Sequence, residues 1–182
     1  MKLKQLPLAF SLVAALSATA FANPKVGGAP MFENKNIVEN AVNSKDHTTL
    51  VAAVKAAGLV DTLMSPGPFT VLAPVNKAFA ALPAGTVETL LKPENKDTLV
   101  KILTCHVIPA KALSSAIKKM VKDDGGVHKV TTVGGCVLKL SMKGSKVIIT
   151  DENGNKARVT IADVKQSNGV IHVIDKVLLP KS

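Results

Sequence analysis

The chain has no tryptophan, no tyrosine, two cysteines and, at Arg158, a single arginine in 182 residues. Each shortage removes a class of function. Single-strand nucleic-acid binders stack bases on aromatic platforms and base readers lean on arginine forks, so specific nucleic-acid recognition is not expected. Two cysteines cannot supply paired Cys-x-x-Cys knuckles, and His47, His106, His128 and His172 show no His-x-x-x-His spacing. No metal or other cofactor is therefore expected. The pairs Gly27-Gly28, Gly125-Gly126 and Gly134-Gly135 lack the Gly-x-Gly-x-x-Gly pattern that cradles phosphate. Asp151-Glu152-Asn153-Gly154-Asn155 lacks the glycine at the sixth position and the glutamate at the twelfth that a calcium loop needs, and reads as a hairpin turn.

What is present begins with an export signal. Lys2 and Lys4 precede a mostly apolar run over residues 6–16 and a small-residue stretch over 17–22, the layout of a cleavable signal peptide. Ala20-Phe21-Ala22 puts small side chains where a signal peptidase requires them, so residues 1–22 are read as the leader, cut between Ala22 and Asn23. The run is about half of the ~20 residues needed to span a bilayer, and no transmembrane segment follows it. Residues 23–182 then form one domain-sized unit, expected in a periplasm or outside the cell. Without Lys2 and Lys4 it carries 21 Lys plus Arg against 13 Asp plus Glu, a formal charge of +8. Such a surface favours polyanions, whether an acidic polysaccharide, anionic headgroups or another envelope component. An ordinary solvated lysine surface is the plainer alternative.

Periodicity divides the mature chain in two. Ile37, Val38, Ala41 and Val42 form an apolar helical face after the N-cap residue Asn36, and Leu50, Val51, Val54 and Ala57 form another that stops at Gly58. Residues 69–73 read as a buried strand, and Asn76 as the cap of a helical turn running toward Leu82. Helices are predicted over 86–91 and 96–103, a strand over 105–108, and a helix carrying Leu113, Ala116, Ile117, Met120 and Val121. The period then changes to two. Cys136, Leu138, Leu140 and Met142 alternate with Val137, Lys139, Ser141 and Lys143, Asn153-Gly154 signals a hairpin, Ala157, Val159 and Ile161 share a strand face, and 170–179 reads as one long strand. Helices followed by a mostly antiparallel sheet make an α+β domain.

Three ordered segments resemble the fasciclin, or FAS1, family: FTVLAPVNKAFAALP at 69–83, LVKILTCHVIP at 99–109 and NGVIHVIDKVLLP at 168–180. The resemblance extends over about residues 27–179. It implies a wedge of N-terminal helices on a mostly antiparallel sheet, with the first and last motifs adjacent in the core. Phe69, Pro74, Asn76, Phe79, His106, Asn168, Gly169, His172 and Asp175 are then structural motif positions. It also implies an extracellular, non-catalytic module for adhesion or matrix contact. Val75 stands where the family usually has threonine and Cys105 where it usually has the tyrosine of a Tyr-His pair, and no Arg-Gly-Asp tripeptide is present, so no integrin role carries over.

Cys105 and Cys136 are expected to pair in an oxidising compartment; two separate buried thiols are the alternative, and the Cα separation decides. Cys105 and His106, as strand neighbours, point to opposite faces and cannot act as nucleophile and base. His106 reads as a structural hydrogen-bonding residue. Lys111, Lys118 and Lys122 fall near one helical face with Lys119 beside them, the first candidate for polyanion binding. A soluble carrier of a small apolar ligand and a periplasmic hydrolase are the alternative functions, needing respectively a real pocket and a convergent catalytic cluster.

Overall fold

The computed structural model describes residues 23–181; residues 1–22, read from the sequence as a leader cut after Ala22, lie outside them. A short hairpin, β1 (Lys25–Val26) with β2 (Ala29–Pro30), precedes the helices α1 (Ile37–Ala41), α2 (Thr48–Ala57) and α3 (Val60–Met64). Asn36 caps α1 reciprocally: its Oδ1 accepts from Glu39 N–H at 2.9 Å while Glu39 Oε2 accepts from Asn36 N–H at 2.7 Å. α2 ends where Gly58 turns left-handed at φ 72°. Strand β3 (Phe69–Pro74) is followed by α4 (Asn76–Ala80), α5 (Thr86–Leu90), α6 (Lys96–Thr104), β4 (Val107–Ile108) and α7 (Ser114–Asp123). The chain closes with β5 (Val127–Thr131), β6 (Val137–Lys143), β7 (Lys146–Thr150), β8 (Lys156–Gln166) and β9 (Gly169–Ile174).

Seven strands form one sheet in the order β4-β3-β9-β8-β7-β6-β5. All neighbours run antiparallel except β3 and β9, which pair in parallel from Phe69↔Gly169 to Pro74↔Ile174. The first and last motifs are thus side by side. β9 is buried at every position, because Ile171 and Val173 face a core under α2 and α6 while Ile174 faces a second core under α7. Strands covered on both faces read as continuous apolar runs. By contrast β6 and β7 alternate: Leu138, Leu140, Val147 and Ile149 are buried against Ile117 and Val121 of α7, and the intervening residues face water. The architecture is α+β, as read from the sequence.

Several boundaries differ from the sequence reading. The expected strand at 105–108 is only Val107–Ile108, because α6 continues through its cap: Cys105 N–H donates to Lys101 O at 3.0 Å and His106 N–H to Leu103 O at 3.0 Å. The long strand expected at 170–179 ends at Ile174, where Asp175 turns its carboxylate to the Arg158 amide at 2.7 Å. The β1–β2 hairpin, α3 and β5 had no sequence signal strong enough to name. β8 runs five residues past Ile161, through bulges that put Asp163 at φ 59°.

Candidate functional site

The motif residues gather along the β3–β9 seam, where they fasten distant segments. Asn76 is the first residue of α4 and not its cap, the N-cap position being held by Val75 with no side-chain hydrogen bond; Asn76 instead serves the start of α2. Its Oδ1 accepts from Thr49 N–H at 3.0 Å and Thr48 Oγ1 at 3.2 Å, while its Nδ2 donates to Lys45 O at 2.9 Å. Asn168 acts likewise from the other motif. Its Oδ1 accepts from Ile37 N–H at 3.1 Å and its Nδ2 donates to Leu63 O at 2.7 Å and Ser65 O at 3.0 Å, joining the start of α1 to the end of α3. Helix ends leave unpaired backbone groups, and these two amides satisfy several of them across the fold. Pro74 ends β3 and Phe79 fills the first core, while Phe69, half-buried, packs against its edge.

Two buried histidines hold defined tautomers. His106 Nδ1 donates to Ile102 O at 2.8 Å, so its Nε2 accepts from Leu178 N–H at 2.9 Å. Burial lowers its pKa to about 4, only partly opposed by the Ile102 carbonyl and the Asp151 charge. His172 Nε2 donates to Ala112 O at 2.7 Å and Nδ1 accepts from Asp163 N–H at 3.2 Å; burial lowers its pKa as well. Asp163 also accepts from Ser114 N–H at 2.6 Å and from the Ser114 hydroxyl, placing a carboxylate at the start of α7. Ser114, Asp163 and His172 are therefore close, yet the hydroxyl meets the carboxylate and both ring nitrogens meet backbone groups. No nitrogen is left to take a proton from the serine, so the arrangement orients segments rather than activating a nucleophile.

Cys105 and Cys136 are bonded, with Cα atoms 5.4 Å apart. The cysteine thus lies at a helix end rather than on a strand, and its partner sits just before β6. Gly134 packs beside them, where an added Cβ would lie 2.9 Å from Cys105 N. Reduction, or the Cys105→Ser/Cys136→Ser pair, is expected to cost about 3–4 kcal/mol for this 31-residue separation in the chain-entropy model. Melting with and without reductant checks this, and an unchanged midpoint would count against it.

The turn at Asp151 is a hairpin turn with a second task. Asp151, buried, accepts from Asn153 N–H at 3.0 Å, Asn155 N–H at 2.8 Å, Asn155 Nδ2 at 3.1 Å and Leu179 N–H at 3.0 Å. With His106 on Leu178, it clamps two successive residues after β9. The sequence reading did not assign the structural roles of Asp151, Asp163, Thr70, His47, Gln166 and Asn40, because isolated polar residues with distant partners carry no periodic signal. Asn40 is fully buried; it donates to Phe32 O at 2.8 Å and to the Gln166 side-chain oxygen.

The lysines named from helical spacing divide differently. α7 starts at Ser114, so Lys111 precedes the helix and does not belong to its face. All three α7 lysines are exposed; Lys119 pairs with Asp123 at 2.5 Å, and Lys118 and Lys122 have no ion-pair partner among the described residues.

Two hollows lie among the described residues. An apolar cavity of about 60 Å³ lies beneath α1–α3, with Leu50, Val54, Leu63, Val71, Leu103 and Ile171 in its wall. A more open groove of about 280 Å³ runs between Asn76, Phe79, Leu82 and Val87.

Residues 45–180 match the fasciclin domain family. The chain belongs to the fasciclin family. It is 54% identical over 144 residues to Protein sll1483 of Synechocystis, covering 79% of this chain and 73% of that one. It is 39% identical over 131 residues to transforming growth factor-beta-induced protein ig-h3 of Sus scrofa, 72% of this chain but 17% of that one. The FAS1 domain pair of the insect cell adhesion molecule fasciclin I shares the fold, with a TM-score of 0.71 at 19% identity over 80% of this chain and 51% of the solved one.

Proposed function

We propose that the protein is exported, loses residues 1–22, and acts as a single secreted or periplasmic fasciclin domain that binds a surface or matrix polyanion without catalysing a reaction. The observation that carries this reading is a formal charge of +8 on the mature chain of a fasciclin-family member. An adhesive role is consistent with the insect cell adhesion molecule whose fold it shares. The carrier alternative calls for a chamber of roughly 300–1,000 Å³. The enclosed apolar cavity, at about 60 Å³, falls well short of that, and the larger groove of about 280 Å³ is open and lined in part by the polar Thr49, Asn76 and Glu88, which favours the binding module. A hydrolase would need an accessible hydroxyl or thiol beside a ring nitrogen; Ser114 meets Asp163 instead, Cys105 is bonded to Cys136, and the Ser44 hydroxyl, 2.8 Å from His47 Nδ1, is buried together with that ring.

The test is retention of envelope and matrix fractions on immobilised mature protein across a salt series. Exposed charges lose their reach as the screening length shrinks from about 30 Å at 0.01 M salt to about 3 Å at 1 M. Retention is therefore expected to fall steeply over that range. Binding that ignores salt would reject the electrostatic mechanism, and no binding to any fraction would remove the adhesive assignment.

A further inference from the structure

The face of β5–β8 that α7 does not cover gathers six cationic residues. Strand register lays its residues out in rows. One row crosses the four strands as Lys129, Lys139, Thr150 and Lys156, and the next as Val127, Ser141, Ile148 and Arg158. Lys143 faces Lys146 across the β6–β7 turn. All six cationic residues are exposed, and the residues that alternate with them are turned into the α7 core.

Two features set this face apart from a solvated surface. Lys129 stands directly opposite Lys139, and Lys143 opposite Lys146. Like charges directly opposite on a sheet are destabilising, so the fold carries two such pairs at a cost. Neutralisation from within the chain is also slight. Among the described residues the ion pairs are Lys119–Asp123, His128–Asp124, Arg158–Asp175 and Lys165–Glu33, so only Arg158 of the six has a carboxylate partner. Glu152, at the nearby β7–β8 turn, spends its oxygens on the Val137 and Lys181 amides.

We infer that this face docks a linear acidic polysaccharide, an inference that rests on the polyanion-binding reading above and gives it a location and a ligand class. Adjacent strands lie about 4.8 Å apart, so Lys129 and Lys139 are one strand spacing apart and Lys156 two further. A stiff strip of charge at that interval complements a chain bearing an acidic group on successive or alternate sugars. The hydroxyls of Thr150 and Ser141 sit between the cations, within reach of sugar hydroxyls. Nucleic acid fits less well, since the two rows hold no aromatic ring on which a base could stack. The α7 lysines are the weaker candidate, because Asp123 already engages Lys119.

The experiment uses the exported protein on immobilised dextran sulfate and alginate at about 0.15 M salt. The variant Lys129→Glu/Lys139→Glu/Lys156→Glu is expected to lose affinity by about tenfold or more, and Lys118→Glu/Lys122→Glu by less than about threefold. Lys129→Thr keeps the fold under control: it relieves one like-charge pair, so its melting point should hold or rise while its affinity falls. If wild type binds these polysaccharides and the sheet variant binds equally well, the location is wrong and the polyanion reading stands. If wild type binds neither the polysaccharides nor any envelope or matrix fraction, both fall. Tighter binding to a single-stranded DNA oligonucleotide or to phosphatidylserine vesicles at the same salt would overturn the ligand class.

Discussion

Gly169→Ala is expected to leave little or no folded protein. Gly169 opens β9 directly opposite Phe69 of β3, and an added Cβ would lie 2.1 Å from the Phe69 carbonyl oxygen. That is a collision with backbone, not with a side chain that could swing aside. Relief would require the two strands to separate at their first pair. Both are interior strands with a core on each face, so moving either disturbs the cluster containing Ile171 and the one containing Ile174 together. A cost above about 4 kcal/mol follows, against a total stability of about 5–15 kcal/mol for an ordinary domain. Gly125→Ala is the control: it is left-handed at φ 70°, but an added Cβ there meets nothing within 4 Å. That change should cost only about 1–2 kcal/mol of backbone strain. Urea unfolding of both variants checks the prediction, and a Gly169→Ala midpoint close to that of Gly125→Ala would sink it.

The motif Asn168-Gly169 was legible as a turn and a family landmark, but not for these reasons. Local signals were read well where the partner is near in sequence: Asn36 as an N-cap, the Gly58 stop, and the alternation of Leu138 and Leu140 each depend on residues a few positions apart. Roles set by distant partners were not. Asn76 reaches back to Thr49, and Asn168 to Ile37 across 131 positions, so each looks like a local turn former until the fold is assembled. Cys105 looked like a strand residue because its neighbours Val107 and Ile108 are apolar, whereas the helical bonds of α6 extend through it. The basic sheet face is the clearest case. Helical spacing suggested Lys118 and Lys122, while Lys129, Lys139 and Lys156 meet only through the register of β5, β6, β7 and β8. No periodicity in one strand can show which lysines a neighbouring strand will bring alongside.

Stability is expected to fall as pH drops from about 6.5 toward 4, before most carboxylates titrate. The cause is a set of three buried histidines whose pKa values are all lowered chiefly by desolvation. His106 is lowered to about 4 from 6.5. His172 is lowered despite its Ala112 bond and the Asp163 charge, and His47, which accepts from the Ser44 hydroxyl at 2.8 Å, despite its Ala73 bond and the Asp46 charge. A lowered folded-state pKa means that the unfolded chain binds the extra proton first, so stability is fully present above pH 6.5 and is lost as pH falls. For His106 the shift corresponds to about 3 kcal/mol, lost between pH 6.5 and about 4. The bonding explains why protonation cannot be absorbed in place. With Nδ1 donating to Ile102 O, a second proton on Nε2 would face the Leu178 N–H, and the clamp on the segment after β9 would open. Urea unfolding at several pH values between 7.5 and 4.5 measures the slope. His106→Asn retains one amide donor for Ile102 O but no group that titrates, so it should be less stable at pH 7.5 and should show a shallower decline toward acid. A wild-type curve that stays flat from pH 7.5 to 5, or a variant with an unchanged slope, would reject the assignment.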